Sequence, residues 1–154
     1  SAVQEAQTVM ASLNQKAKRA ADRCCISACT DITGFGLLGH CVEMASASGV
    51  TFELKVNDIA YFQDAVEYAK MGLVPAGTYK NRGYSIGSVD AQGIEEFYLD
   101  LLYDPQTSGG LLLSVAREDL GTLLSELKAS GIDTAVSVIG SVAPESDKLI
   151  RLLK

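Results

Sequence analysis

Two glycine-punctuated segments divide this chain: TDITGFGLLGH from Thr30 to His40, and DPQTSGGLLL from Asp104 to Leu113. Glycine inside a regular element costs roughly 0.5–1 kcal/mol relative to alanine. Gly34 and Gly36 in the first segment, and the Gly109–Gly110 pair in the second, therefore mark loops between short elements. Glycine also lets the backbone take positive φ or come close to a ligand. Each segment adds a carboxylate and hydroxyls to that freedom: Thr30, Asp31 and Thr33 in one, Asp104, Thr107 and Ser108 in the other. An aspartate holds a hard cation, and amide and hydroxyl donors meet phosphate oxygens. The combination points to phosphate and metal chemistry completed by groups elsewhere.

The residues around the loops read as short helices and strands. Val3 to about Asp22 is rich in Ala, Gln and Lys, with Val9, Leu13 and Ala17 at helical spacing and cations towards its end, so one helix is expected there. Ile26 to Cys29 reads as a strand leading into the first loop, followed by a helix over Leu37 to Ser48 that Gly49 stops. Thr51 to Val56 alternates with period two, setting Phe52, Leu54 and Val56 on one face and Thr51, Glu53 and Lys55 on the other. A helix is expected over Ile59 to Met71. Val74 to Asp90, with its proline and glycines, reads as a long loop in which Thr78, Lys80, Asn81 and Arg82 offer anion contacts or simply cover surface.

Further along, Glu95 to Tyr103 is expected to be a helix, Leu111 to Ala116 a strand and Arg117 to Ser130 a helix. Ala135 to Val142 and Lys148 to Leu153 are expected to form an antiparallel hairpin. Strands and helices mix without strict βαβ alternation. This favours an α+β layer with helices packed on a mixed, largely antiparallel sheet.

At 154 residues the chain is long enough to bury roughly 70% of its unfolded surface as a single domain. A net charge of −6 argues against the cationic grip that nucleic acid requires, while leaving an anionic nucleotide with its metal open. No apolar run reaches the ~18 residues needed to span a bilayer, so neither membrane nor nucleic acid is an expected partner and a cytoplasmic location is expected. The chain starts directly in a helical pattern, as a piece cut from a longer protein at a domain boundary would. Cys24, Cys25, Cys29 and Cys41 match no zinc spacing and read as small buried hydrophobes in a reducing compartment.

Each candidate also has an ordinary use. Asp31 sits where a strand end projects a carboxylate into a crevice, which suits Mg²⁺, but Asp31 or Thr33 is equally suited to cap the helix beginning near Phe35. Because Mg²⁺ takes only one or two carboxylates from any element, the remaining ligands must come from elsewhere. GFGLLG has the letters of a dinucleotide fingerprint without the acidic residue such a unit needs. His40, the only histidine, is expected to be a hydrogen-bonded structural residue. Thr107, Ser108, Gly109 and Gly110 either cradle an oxyanion or pack a tight loop. Ser108 lacks an evident base partner, so it is no nucleophile.

TDITGFGLLGHCVEM and DPQTSGGLLLSV resemble the two signature stretches of the C-terminal domain of selenophosphate synthetase, also called selenide, water dikinase. GLVPAGTYKNRGYS resembles that family's Val-Pro-Gly-Gly-Thr-x-x-Asn loop, with Ala76 where a glycine is more usual. The resemblance covers almost the whole chain. It implies a fold like the C-terminal domain of aminoimidazole ribonucleotide synthetase and an enzyme that makes selenophosphate, AMP and phosphate from ATP, selenide and water.

The resemblance further implies that the catalytic Cys or selenocysteine, its Lys and most ATP-binding groups belong to an N-terminal domain that this sequence lacks. No catalytic residue is then expected here, and the full-length enzyme is expected to be a homodimer. Asp31 would be the one metal-binding carboxylate from this half, with Thr30, Thr33, Gly34 and Gly36 shaping its loop and Thr107, Ser108, Gly109 and Gly110 facing the site. Mg²⁺ is the implied cofactor, and ATP and selenide are the implied substrates. The competing readings are a related ATP-dependent synthetase or kinase and a non-catalytic regulatory domain of the same fold.

Overall fold

A computed structural model describes all residues, Ser1–Lys154. In chain order the elements are α1 (Ala2–Ala11), α2 (Gln15–Ala21), β1 (Ile26–Asp31), α3 (Gly36–Ser48), β2 (Val50–Lys55), α4 (Gln63–Lys70), α5 (Ala76–Ser85), β3 (Val89–Asp90), α6 (Glu96–Leu102), β4 (Leu111–Val115), α7 (Leu120–Ala129), β5 (Gly140–Pro144) and β6 (Ile150–Leu153). They divide into two compact units, one of residues Ser1–Ile32 with Ser108–Val136, the other of Thr33–Thr107 with Ser137–Lys154. The expected α+β architecture holds. Of the strand pairings, β1–β4 and β2–β5 are antiparallel, and β2–β6 and β3–β6 are parallel. No helix is long and apolar enough to cross a membrane.

The first unit carries α1, α2 and α7 with the two-stranded β1–β4 sheet. Its core is Ala20, Ala21, Leu123 and Leu127, with Cys24, Ile26, Leu113 and Val115 packed against them. The single helix expected over Val3 to Asp22 is two helices. Ser12 is extended, at ψ 129°, and its hydroxyl donates back to Thr8 O at 3.2 Å, while the Asn14 amide donates to Gly109 O at 3.3 Å. The Ser12 bond is of the local kind that competes with helix continuation, and the Asn14 bond ties the break to the second glycine segment.

The second unit holds a four-stranded sheet in the order β3-β6-β2-β5. The apolar face read for the Thr51 to Val56 strand is buried, with Phe52, Leu54 and Val56 at 5%, 3% and 1% exposure. Thr51 is also fully buried, because β2 is an inner strand and its hydroxyl is enclosed by the turn that follows β5. Thr51 Oγ1 donates to Lys148 O at 2.8 Å and accepts the Ser146 N–H at 3.0 Å.

That turn overturns the expected hairpin. β5 and β6 do not pair with each other; β2 lies between them, antiparallel to β5 and parallel to β6. Gly140 permits the close approach of β5, since any Cβ there would overlap the Glu53 carbonyl. β5 also begins later than expected, leaving Val136 and Val138 outside it and exposed.

The expected long loop over Val74 to Asp90 is likewise corrected: α5 occupies Ala76–Ser85. Pro75, with φ of −64°, stands at its N-cap. The residues α5 buries are Thr78 and Ser85, with Asn81 half-buried. The stripe therefore has helical period but no hydrophobicity, and packing overrides the weak propensity of its glycines. The helix expected from Ile59 is shorter, because a 3₁₀ turn takes Val56–Asp58 and α4 starts at Gln63.

Candidate functional site

In the first unit, β1 alternates along its length: Ile26, Ala28 and Thr30 are half-buried, whereas Ser27, Cys29 and Asp31 are exposed. Asp31 is the last residue of β1, paired in register with Leu111. It does not cap α3: Phe35 occupies the N-cap and no side chain bonds there. The Thr30 hydroxyl donates to Asp31 O at 3.3 Å, leaving the carboxylate outside that contact. Desolvation and then the Asp31 carboxylate push the neighbouring Cys29 thiol above its ordinary range.

The second glycine segment enters the same unit at Ser108. Gly109 N–H donates to Ile32 O and Ile32 N–H donates to Gly110 O, both at 2.9 Å. These bonds prolong the β1–β4 ladder past the strand ends, so the Gly109 amide is engaged with backbone. Ser108 is half-buried and Gly110 is exposed.

The cysteines are all free thiols, and only Cys41 is buried. Burial pushes its thiol up to about 12. Cys25 and Cys29 are exposed, correcting the expectation that all four are buried. The alternation of β1 turns Cys29 outward, and apolar character alone does not report which strand face a residue takes. No group of three or more His, Cys, Asp and Glu comes together to hold a metal.

In the second unit the two segments are joined through their backbones. Thr33 O accepts the N–H of Gly36 at 3.0 Å and that of Gln106 at 3.1 Å. Gly36 has φ of +71°, and a Cβ there would lie 2.7 Å from the Tyr103 carbonyl carbon and 3.0 Å from Asp104 O. Only glycine satisfies both demands. Gly34 has neither a positive φ nor a close neighbour. Thr107 is exposed.

His40, buried at 7% exposure, is structural as expected. Its Nε2 accepts the Thr33 N–H at 3.1 Å, which places the ring proton on Nδ1, 3.3 Å from the Glu43 carboxylate. Partial burial raises the Asp104 carboxyl above its ordinary range.

α5 reaches both segments. Asn81 Nδ2 donates to Gly34 O at 2.8 Å and to Tyr103 O at 3.0 Å. Gly77 leaves room for Pro105, whose Cγ would lie 2.8 Å from any Cβ on it. Arg82 pairs with Glu96 and Thr78 is fully buried, so of the four residues read as anion contacts only Lys80 is exposed. The bridging role of Asn81 was not visible in the sequence. The available signal was the spacing of Thr78, Asn81 and Ser85 at i, i+3 and i+7, a polar stripe at helical period.

The family described as "AIR synthase related protein, C-terminal domain" matches residues 1–151. The chain belongs to that family. Its curated relatives are selenide, water dikinases, in agreement with the motif resemblance. Selenide, water dikinase 2 of Peptoclostridium acidaminophilum is 44% identical over 142 residues, covering 92% of this chain and 41% of the relative. That of Clostridioides difficile is 44% identical over 146 residues, covering 94% and 42%. That of Caldanaerobacter subterraneus subsp. tengcongensis is 48% identical over 119 residues, covering 77% and 35%. This AIR synthase related domain thus spans about two fifths of the length of the first two relatives.

Proposed function

We propose that this chain is the C-terminal domain of a selenide, water dikinase, acting with its own N-terminal domain to make selenophosphate, AMP and phosphate from ATP, selenide and water. The observation that carries the reading is the junction of the two signature segments, Thr33 O with Gln106 N–H and Gly36 against Tyr103 and Asp104, in a chain 44% identical to enzymes of that name. ATP is held mainly by the other domain, and the full-length enzyme works as a homodimer in the cytoplasm.

Asp31 is the metal-binding residue. An exposed carboxylate at a strand end is the oxygen ligand Mg²⁺ takes. Bound Mg²⁺ would neutralise phosphate oxygens as the γ- and then the β-phosphoryl group is transferred or hydrolysed. The chain's own residues hold the geometry. In the first unit Thr30 precedes the ligand, and in the second Gly36 and the His40–Thr33 bond fix the turn after Thr33.

The test is phosphorus NMR with ATP, selenide and Mg²⁺, applied to this chain and to a longer polypeptide containing it. Selenophosphate is expected only from the longer one; its absence there would remove the reaction from this protein. Asp31→Asn in the longer polypeptide should lose at least roughly 10–100-fold in activity, the cost of disturbing even the partners of metal ligands. Its stability should stay within about 0.5 kcal/mol, as for other surface changes. Full activity in that variant would refute the metal assignment.

A further inference from the structure

We infer that Asn81 is a positioning residue, whose single carboxamide fixes the Thr33–Gly36 turn of the first glycine segment against the backbone that leads into the second. This rests on the reading above of which segments form the site. Both acceptors are main-chain carbonyls, Gly34 O at 2.8 Å and Tyr103 O at 3.0 Å. Only the NH₂ end of the amide can face them, and both of its protons are then used. The two carbonyls belong to residues 69 positions apart in sequence (103 − 34), and one helical side chain ties them together.

The placement of α5 supports this role. Its N-terminal turn is seated on the second segment, where Gly77 lacks the Cβ that would strike Pro105. One turn later, Asn81 spans from Tyr103, the residue before that segment, to Gly34 in the first. The same two backbones are already in contact at Gly36, where a methyl group would meet Tyr103 and Asp104, and at the Gln106 N–H bond to Thr33 O. Gly34 has no such constraint of its own, having neither positive φ nor a neighbour within 4 Å of a Cβ. Its carbonyl depends on Asn81 for a fixed direction. Small displacements at such a loop matter, because misplacing a reacting group by an ångström costs on the order of 10²-fold in rate.

Three substitutions separate positioning from bulk packing. Asn81→Asp keeps the shape but, ionised, has no donor; Asn81→Ala removes the group; Asn81→Gln keeps both donors one methylene further out. Amide exchange of this chain is measured first, over 33–37 and 103–107, with β2 and β6 as the internal reference. In Asp and Ala variants both segments are expected to exchange about tenfold faster while the reference is unchanged, as in a local rather than global opening. Gln should restore part of the protection.

Lowering the pH from about 7 to about 5 should return protection to the Asp variant and not to Ala, since two facing carbonyls favour the protonated acid, which regains one donor. A packing role would show no such pH dependence. Unchanged exchange in both segments, or identical pH behaviour of Asp and Ala, would overturn the proposal. Should Asn81→Ala fail to fold, the Asp and Gln pair decides the same question.

In the longer polypeptide, the Asp variant should lower kcat for selenophosphate formation by on the order of 10²-fold, with KM for ATP nearly unchanged. A raised KM with unaltered kcat would also overturn the assignment. If the unsubstituted enzyme makes no selenophosphate while the two segments still loosen, the reaction assigned above falls and the positioning role stands.

Discussion

The two units differ in how much apolar material holds them. The unit containing β2 and β6 buries Leu38, Cys41, Phe52, Val56, Leu102, Tyr103 and Ile150, six of them at 1% exposure or less. The unit containing Asp31 buries Ala20, Ala21, Ile32, Leu123 and Leu127, none below 4% exposure and two of them alanines. Its sheet has only two strands, an arrangement that is marginal without helices packed on it. The residue read as the metal ligand thus stands in the thinly packed unit, with the Ile32 bonds to Gly109 and Gly110, while the Thr33–Gln106 and Asn81 bonds stand in the densely packed one. A well-packed body can hold a close backbone approach, such as that at the left-handed Gly36, whereas a lighter one can adjust a side chain to a ligand at little cost.

The largest test of this contrast is Gly36→Ala. Alanine would meet the left-handed penalty of about 1–2 kcal/mol and an overpacking cost of about 1–3 kcal/mol against the Tyr103 and Asp104 backbones. Chemical denaturation should register a loss of roughly 2–5 kcal/mol. A loss under 1 kcal/mol would mean that the loop yields easily and that the dense unit does not enforce its shape.

Hydrogen exchange of the unsubstituted chain sharpens the comparison directly. Amides of β2 and β6 should be the slowest, with those of β1 and β4 opening at a free energy lower by about 1.4 kcal/mol or more, a tenfold difference in exchange. Equal protection in both sheets would show one cooperative body, and the contrast would disappear.

The smallest effect concerns a polar defect in the dense unit. Asp100 is 8% exposed, with Oδ1 unpartnered. Burial first, then Glu96, hold its carboxyl above the ordinary range, with Arg82 opposing. A raised folded-state value means that the stability present below the unfolded value, about 3.9, is lost as pH rises through the folded one. Asp100→Asn should therefore raise Tm at neutral pH, by about 2–4 °C for each kcal/mol recovered. The gain should vanish below about pH 4, where the native residue is itself uncharged. A lower Tm at neutral pH would mean that Asp100 is held by a favourable bond.

Where inward-facing residues are apolar, the sequence was a sufficient guide. The face of β2 with Phe52 and Leu54, continued by Val56, the Gly49 stop of α3 and the hydrogen-bonded burial of His40 all follow from local chemistry. α5 escaped because its buried positions are Thr78 and Ser85, so helical periodicity carried no hydrophobic signal. The arrangement of β5 and β6 escaped because alternation marks a strand without naming its neighbour, and the bonds of Thr51 to Ser146 and Lys148, which hold the turn between them, are tertiary. At the candidate site, the glycines and Asp31 were legible as a loop with a carboxylate. The reach of Asn81 to two carbonyls far apart in sequence was not, because tertiary hydrogen bonds leave no local pattern.

The position of β2 between β5 and β6 has a consequence for biosynthesis. β2 and β3 share no edge and meet only through β6, so none of the four strands has a permanent partner until residues beyond 139 have left the ribosome. The backbone of β2 must wait, unpaired, while more than eighty further residues (140 − 54 = 86) are added. A nascent chain with an unpaired apolar strand is open to wrong pairing. This sheet closes by inserting late segments on both sides of an early one, which makes the last strands, rather than the first, the step on which its assembly depends.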